Sequence, residues 1–211
     1  MAAAPDLILY HIAPSRSSIV HWMLEEVGQP YELRVLNHKK GENREGAYLA
    51  VNPMGKVPAL VHGGVVITEA AAICCYLADA FPDAGLSVPL GDRRRGPYLK
   101  WLFFSPGCLE PAVIDRMFKR EPAPPASALG YGDFDTVLDV LAGAIEPGPF
   151  LLGEQFTAAD VVIGAGLRWG MATGAVPERA EIVAYAARLA ERPALARAFA
   201  KDQELAAAQP G

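Results

Sequence analysis

Three short segments near the amino terminus carry the side chains and backbone groups best suited to chemistry. They are residues 15–18 (Ser-Arg-Ser-Ser), residues 52–60 (Asn-Pro-Met-Gly-Lys-Val-Pro-Ala-Leu) and residues 68–70 (Thr-Glu-Ala). The first lies between a short apolar run and an amphipathic segment. The second reads as a turn followed by an X-Pro step into a strand, and the third as the start of a helix. Together they predict a rigid, backbone-lined slot for a small peptide that carries a reactive thiol.

The serine cluster fits two roles. A hydroxyl aimed at a thiol stabilises the thiolate by hydrogen bonding, and the positive end of a helix acts in the same direction. Lowering a thiol pKa from about 8.5 to about 6.5 requires ~2.7 kcal/mol. One charge-assisted hydrogen bond and a helix dipole supply about that much. Serine is also a preferred N-cap residue, and the spacing of Ser15 and Ser17 fits that structural role equally well.

The Val57-Pro58 step leaves two conformations open. Proline cannot donate a backbone hydrogen bond, so it marks the beginning or the edge of a strand. With a cis bond, the Val57 backbone presents its N–H and C=O as a free edge on which an extended peptide can add as a strand. A trans proline at the start of a strand is the commoner arrangement and fits the same residues.

Glu69 precedes a predicted helix, and it too fits two roles. The free N–H groups and dipole of a helix N-terminus hold a carboxylate, and Glu69 can accept from an ammonium at the same place. An α-amino acid head group carries both charges and suits this site. Glu69 also fits a purely local role, in which it stabilises the first helical turn by ~0.3–1 kcal/mol.

The hydrophobic patterns predict an α/β amino-terminal domain followed by an all-helical domain. Residues 7–10 and 31–35 read as strands that flank an amphipathic helix, and Gly63-Gly64 joins two β-branched runs as a hairpin. A helix then follows Glu69. We predict residues 1–82 as this first domain, 83–92 as a Pro- and Gly-rich linker, and 93–211 as the helical domain. Residues 157–160 (Thr-Ala-Ala-Asp) predict a structural capping box.

Composition narrows the class of protein. The 211 residues are 52% hydrophobic and 20% charged, with a net charge of −5 and a pI near 5.4, which argues against nucleic-acid binding. No signal peptide or membrane-spanning run is recognisable, and the three cysteines do not suggest a disulfide framework. The four histidines show no paired metal-binding spacing. We therefore expect a cytoplasmic protein without a metal.

Taken together, these segments resemble the cytosolic glutathione S-transferases, in particular the bacterial branch with a Ser-Arg-Ser motif. The similarity extends from Leu7 to about Phe199. Its most specific pieces are Leu9-Tyr10, Ser15-Arg16-Ser17, Leu24-Glu25-Glu26, residues 52–60, Thr68-Glu69 and residues 156–160. The resemblance implies a thioredoxin-like amino-terminal domain beside an all-α carboxy-terminal domain.

The resemblance also implies roles for the glutathione-binding residues. Val57-Pro58 would be cis, with the Val57 backbone pairing with the cysteinyl unit of glutathione. Glu69 and Ala70 would hold the γ-glutamyl head group. Ala70 replaces the serine usual in the family, which removes one hydroxyl contact worth ~1 kcal/mol. Lys56, together with Lys39 or Lys40, would meet the glycine carboxylate.

A hydroxyl after the first strand would activate the thiol. Ser15 is the first choice for this catalytic role, followed by Ser17 and then Tyr10. The helical domain would supply an apolar pocket for the electrophile, with candidate wall residues Trp101, Phe103, Phe104 and Met117. The spacing of these four residues also fits an ordinary helix core.

Two classes of function follow. The first is an enzyme that binds glutathione as co-substrate and conjugates its thiol to a small hydrophobic electrophile, as a homodimer active in detoxification. A glutathione-dependent lyase, isomerase or peroxidase on the same scaffold is a variant of that reading. The second is a binding or assembly module with little catalysis, which the loss of serine at position 70 would favour.

Overall fold

The computed structural model describes residues 6–209, which form two compact units. Unit 1 contains the described residues up to Ala84 and those from Arg192 onward, and unit 2 spans Gly85–Glu191. None of the helices in residues 6–209 has the length and apolar character needed to cross a membrane.

Unit 1 is built on a four-stranded mixed sheet. In chain order its elements are β1 (Leu7–His11), α1 (Ser17–Val27), β2 (Tyr31–Val35), the short helix α2 (Gly46–Leu49), β3 (Ala59–His62), β4 (Val65–Thr68) and α3 (Ala70–Ala80). The strand order is β2-β1-β3-β4, with β1 and β2 parallel and the other two pairs antiparallel. This thioredoxin-like arrangement confirms the predicted βαβ-ββα order.

The local sequence explains the hairpin and the packing face of the sheet. Gly63 and Gly64 both have positive φ, 56° and 81°, the geometry of a two-residue turn that suits twisted strands. Along β1 the side chains alternate, so Leu7, Leu9 and His11 are buried whereas the two between them are partly exposed. His11 is therefore a polar side chain on the core-facing side of the sheet.

Unit 2 is helical. Its helices are α4 (Arg95–Phe104), α5 (Glu110–Met117), α6 (Phe134–Ile145), α7 (Ala158–Ala172) and α8 (Ala180–Ala190), and a π-helical turn (Ser105–Leu109) joins α4 to α5. The predicted capping box is present at the start of α7. The Thr157 side chain accepts from the backbone N–H of Asp160, and the Asp160 side chain accepts from the backbone N–H of Thr157. The first two turns of α7 are buried throughout, which makes α7 the central helix of unit 2.

Two boundaries differ from the domain ranges expected from sequence. The expected linker is packed into unit 2 from Gly85 onward, because the Gln155 amide donates to the carbonyls of Gly85 and Ser87 at 3.2 and 3.1 Å. The last helix, α9 (Pro193–Ala208), belongs to unit 1 rather than to the helical unit, since it packs on α1. Arg192, just before α9, reinforces that packing with bonds of 2.6 and 2.7 Å to the Glu26 carboxylate.

Candidate active site

The strand register gathers the predicted site segments at one end of the sheet. Tyr10 at the end of β1 pairs with Ala59 at the start of β3, and Ala59 pairs with Thr68 at the end of β4. The loop after β1, the Val57-Pro58 step and Glu69 therefore all lie at that end. Because β2 runs parallel to β1, the segment that holds Lys39 and Lys40 leaves the sheet there too. Segments far apart in sequence thus converge in unit 1.

Ser15 stands before the first turn of α1, and its hydroxyl makes two hydrogen-bond contacts to Ser17. It is partly exposed, and its Oγ accepts from the backbone N–H of Ser17 at 3.1 Å and lies 2.7 Å from the Ser17 Oγ. Ser17 is fully buried beneath it, and its Oγ lies 2.8 Å from Nδ1 of His11. Ser15 is the hydroxyl open to a ligand, and Ser17 is a buried link behind it.

His11 leads on to a buried cluster in unit 1. Its Nε2 lies 3.1 Å from Oδ1 of Asp202 on α9, within ion-pair distance although not aligned as a regular hydrogen bond. His21 on α1 makes the shorter contact to the same oxygen, 2.7 Å from its Nδ1, and its Nε2 lies 3.0 Å from the Tyr31 hydroxyl. Burial by itself would raise the pKa of Asp202, but the polar interactions with His11, His21 and Ser18 outweigh it and lower the pKa.

The same three side chains have the composition of a metal site, which their spacing in the sequence did not predict. One donor atom from each of His11, His21 and Asp202 lies within 4.8 Å of the others, and all three residues are buried. Ligand atoms around tetrahedral zinc are separated by ~3.3 Å, given bonds of about 2.0–2.1 Å. The 2.7 Å separation of His21 and Asp202 is a hydrogen-bond distance, so this geometry is that of a polar network.

Replacing Asp202 with asparagine is expected to destabilise unit 1 in a pH-dependent way. The lowered pKa means that ionised Asp202 stabilises the fold above about pH 4, its unfolded range, and that this stabilisation is lost as the pH falls toward the folded pKa. At pH 7 we expect Asp202→Asn to lower the free energy of unfolding by ~3 kcal/mol. Chemical denaturation at pH 7 and below pH 4 checks this, since the difference from wild type should narrow at low pH.

The matched control is Glu204→Gln, which removes the same charge from the same helix. Glu204 is exposed and pairs only with Lys201, at 2.8 Å, among the ion pairs found in residues 6–209. Exposed pairs of this kind contribute ~0.2–1 kcal/mol. An equal loss in both variants, or a loss at Asp202 that does not change with pH, would contradict the predicted role of the buried carboxylate.

The loop before β3 is held firmly by side-chain hydrogen bonds to its carbonyls. The Tyr48 hydroxyl and the Asn52 amide donate to the carbonyl oxygen of Lys56 at 2.5 and 2.7 Å, and the Asn43 amide donates to that of Gly55 at 2.9 Å. Within residues 6–209 no hydrogen bond to the Val57 backbone is found. Its N–H and C=O are therefore available to an added strand. The Val57–Pro58 peptide bond is cis.

Gly55→Ala is expected to be among the more damaging small substitutions in this loop. Gly55 has φ +62°, and an added Cβ would lie 2.8 Å from Arg44 Nη1 and 2.9 Å from the backbone oxygen of Asn43. Positive φ alone costs an L-residue ~1–2 kcal/mol, and the backbone contact adds to that. We expect a loss of ~2–4 kcal/mol in the free energy of unfolding, measured by chemical denaturation.

Gly28→Ala is the matched control for that substitution. Gly28 has a similar φ of +71°, but an added Cβ there meets nothing within 4 Å. It should lose only the conformational part, ~1–2 kcal/mol. Equal losses at the two positions would show that the crowding around Gly55 is relieved without cost.

Glu69 has the one strained backbone among the non-glycine residues of the described chain. It has φ 68° and ψ 114°, lies at the N-cap of α3 and is exposed, and its side chain makes no capping hydrogen bond. Such conformations cost ~1–3 kcal/mol and cluster at ligand sites. Directly after Glu69, the N–H of Ala70 begins the free N-terminus of α3. Strain, a free carboxylate and free N–H groups thus coincide at one position.

The other candidates for thiol activation and carboxylate binding are placed differently. The Tyr10 side chain alternates to the face of the sheet opposite His11, and its hydroxyl accepts from Arg34 Nη1 at 3.0 Å. It makes no hydrogen bond to the serine cluster within the described residues. Lys39, Lys40 and Lys56 are all exposed at the end of the sheet where the site segments meet.

The four predicted pocket-wall residues of unit 2 differ in environment. Trp101 is 6% exposed and packs edge-on against Phe104 at 5.3 Å, whereas Phe103 is 59% exposed. Met117 alone of the four lines an open cleft of about 800 Å³, together with residues such as Tyr131. Trp101 thus has the surroundings of a core residue.

Sequence reasoning did not identify the polar cluster formed by His11, His21 and Asp202. One signal was present, because His11 continues the buried alternation of β1 and a histidine there needs a partner. No local pattern points to Asp202, which is 181 positions away from His21 along the chain.

Comparisons with known proteins agree with the fold. Residues 5–79 match the family model described as glutathione S-transferase, N-terminal domain. Glutathione S-transferase GstA of Escherichia coli O157:H7 is 30% identical over 185 residues, which cover 86% of this chain and 92% of that protein.

Solved structures give the same result. The glutathione transferase of Methylococcus capsulatus str. Bath matches with a TM-score of 0.78 and 30% identity, over 93% of this chain and 98% of that one. A sphingomonad glutathione S-transferase complexed with glutathione matches with a TM-score of 0.77 and 28% identity, over 93% and 98%.

The fold is therefore that of a thioredoxin-like domain combined with a helical domain, as in solved glutathione transferases. The chain belongs to the glutathione S-transferase family, a family of transferases. The predicted family resemblance is confirmed.

Proposed function

We propose that this protein is a glutathione transferase that binds glutathione in unit 1, activates its thiol with Ser15 and conjugates it to a small hydrophobic electrophile. One observation carries the proposal. The register of unit 1 brings a partly exposed hydroxyl, an unpaired backbone edge at Val57 and the strained Glu69 to the same end of one sheet. Each of these features matches one part of a γ-linked, thiol-bearing tripeptide.

The binding assignment follows the charges of glutathione. Glu69 and the N-terminus of α3 suit the ammonium and carboxylate of the γ-glutamyl unit, and Ala70 contributes its backbone N–H. The Val57 backbone suits the cysteinyl amide, and the exposed Lys40 and Lys56 suit the glycine carboxylate. Among the candidate pocket-wall residues of unit 2, we retain Phe103 and Met117, whose side chains are exposed and free to contact an electrophile, ahead of the buried Trp101.

Titration calorimetry with glutathione, followed by a conjugation assay with an aromatic halide, tests the proposal. We expect heat of binding at millimolar ligand or below and thioether formation that depends on both partners. Binding without turnover against a panel of electrophiles, peroxides and isomerisable substrates would favour the binding-module alternative. Absence of binding at millimolar glutathione would overturn the proposal.

The location, oligomeric state and biological role of the protein are proposed from its membership of the family. A cytoplasmic homodimer active in detoxification, with unit 1 as the glutathione-binding part and unit 2 as the helical part, fits the family. Size-exclusion chromatography with light scattering measures the mass, and about twice 22.5 kDa is expected for the dimer.

A further inference from the structure

The Ser17 hydroxyl lies between the candidate catalytic serine, Ser15, and the buried His11. The distances alone do not decide which partner Ser17 donates to and which it accepts from. A hydroxyl has one proton and two lone pairs. One lone pair of the Ser17 Oγ accepts the backbone N–H of Ile12 at 3.1 Å. The remaining lone pair and the proton must be shared between Ser15 at 2.7 Å and His11 Nδ1 at 2.8 Å.

Two patterns satisfy these contacts. When His11 Nδ1 carries no proton, Ser17 donates to it and accepts from Ser15, so the Ser15 proton points inward. When Nδ1 carries a proton, His11 donates to Ser17, and Ser17 donates to Ser15. The nearer acceptor for that Ser17 proton is the Ser15 oxygen at 2.7 Å, rather than the Ile12 carbonyl at 3.2 Å.

In the second pattern the Ser15 hydroxyl keeps its proton but no longer donates it to Ser17. The Ser15 Oγ then accepts from the Ser17 hydroxyl and from the Ser17 backbone N–H, which lies 3.1 Å away. Both lone pairs are occupied, and the Ser15 proton can be donated only outward. In the first pattern a thiolate near Ser15 would face a lone pair, which repels it.

The position of Asp202 distinguishes the two ring nitrogens of His11. Nε2 faces the ionised carboxylate at 3.1 Å, an arrangement that favours a proton on Nε2, and Nδ1 is the ring nitrogen that faces Ser17. The other ionisable groups of this network come from α1, β2 and α9, and they are His21, Glu25, Tyr31 and Arg197. Tyr31 donates to Glu25 at 2.6 Å, and Glu25 pairs with Arg197 at 2.5 Å, so the network extends to the surface of α9.

We propose that His11 is a positioning residue whose Nδ1 proton, passed through Ser17, turns the Ser15 hydroxyl outward as a donor to a bound thiolate. The inference rests on the proposed function, because it concerns the hydroxyl assigned to the thiol. Its consequence is reciprocal: a thiolate at Ser15 must favour the protonated form of His11, and the protonated form must favour the thiolate.

The experiment measures this coupling directly. The ring nitrogens of His11 are titrated by nitrogen-15 NMR in the whole protein, free, with glutathione and with S-methylglutathione, whose sulfur cannot ionise. His62 on β3 is the internal reference. We expect glutathione to increase the proton affinity of His11 about tenfold, a shift of one pH unit, and S-methylglutathione to leave it unchanged.

Ser17→Ala separates the relay from the direct electrostatic effect of a nearby negative charge. In that variant glutathione should still bind but should no longer shift the His11 titration, and Ser17→Thr, which keeps the hydroxyl, should restore the shift. If Ser17→Ala fails to fold, Ser17→Cys takes its place, because it keeps a side chain of similar shape and replaces the hydroxyl with a thiol that is only a weak donor and acceptor. Glutathione should then shift the His11 titration clearly less than in wild type, and an undiminished shift would overturn the relay.

The outcomes are distinct. Thiolate formation at the site, seen by its ultraviolet absorbance, without a shift at His11 overturns the relay and leaves the proposed function intact. A shift that persists in Ser17→Ala also overturns it, since charge alone would then be the cause. Failure of wild type to bind glutathione overturns the proposed function and the relay with it.

Discussion

Ser15→Ala is expected to lower kcat/KM for glutathione conjugation by about 10- to 100-fold while glutathione affinity changes little. The hydroxyl would make one charge-assisted hydrogen bond to the thiolate, worth ~1.5–3 kcal/mol, and that bond is strongest in the ionised state that reacts. The rest of the peptide is held by the Val57 backbone and by Glu69. Calorimetry and steady-state kinetics, run on the same preparation, separate binding from turnover.

Ser15→Thr is the matched control because it keeps a hydroxyl at the same position. The Ser15 Oγ also accepts the Ser17 backbone N–H at 3.1 Å, so the alanine variant should lose ~1 kcal/mol of folding stability in addition. The threonine variant should retain most of the turnover and most of the stability. Wild-type turnover in Ser15→Ala would contradict the assignment and move attention to Tyr10.

Asp160→Ala is expected to produce the largest loss of stability, ~3–5 kcal/mol in the free energy of unfolding. Burial raises the pKa of Asp160, and the hydrogen bonds that it accepts act in the opposite direction. Its Oδ1 accepts from the Leu151 N–H and the Tyr185 hydroxyl, each at 2.9 Å. Its Oδ2 accepts from the N–H and the hydroxyl of Thr157 at 2.9 and 3.1 Å. Alanine leaves these buried donors without a partner.

Tyr185→Phe provides a graded comparison within the same network. It removes one of the four donors to Asp160 and leaves the carboxylate bonded by the other three, so a loss of ~1 kcal/mol is expected. Chemical denaturation of both variants measures the ratio. Because domains are stable by only ~5–15 kcal/mol, Asp160→Ala should also reduce the yield of folded protein. A loss below ~1 kcal/mol for Asp160→Ala would show that water replaces the carboxylate at this position.

The capping box at the start of α7 shows how far the sequence can specify a structural role. Thr157 and Asp160 are three positions apart, and that spacing alone determines which side chain bonds which N–H. The spacing gave no hint that Asp160 also accepts from Tyr185, 25 positions later, or from Leu151. The local half of the network was therefore predictable, and the half made by packing α7 against its surroundings was not.

Local chemistry in the sequence determined the βαβ-ββα order, the Gly63-Gly64 hairpin and the helix starts. Such features depend on hydrogen bonds and periodicity within a few residues, so they can be read along the chain. The tertiary structure alone decided that α9 returns to unit 1 and that Asp202 meets His11 and His21. Contacts between residues so far apart depend on how whole elements pack, and no short pattern of side chains encodes that packing.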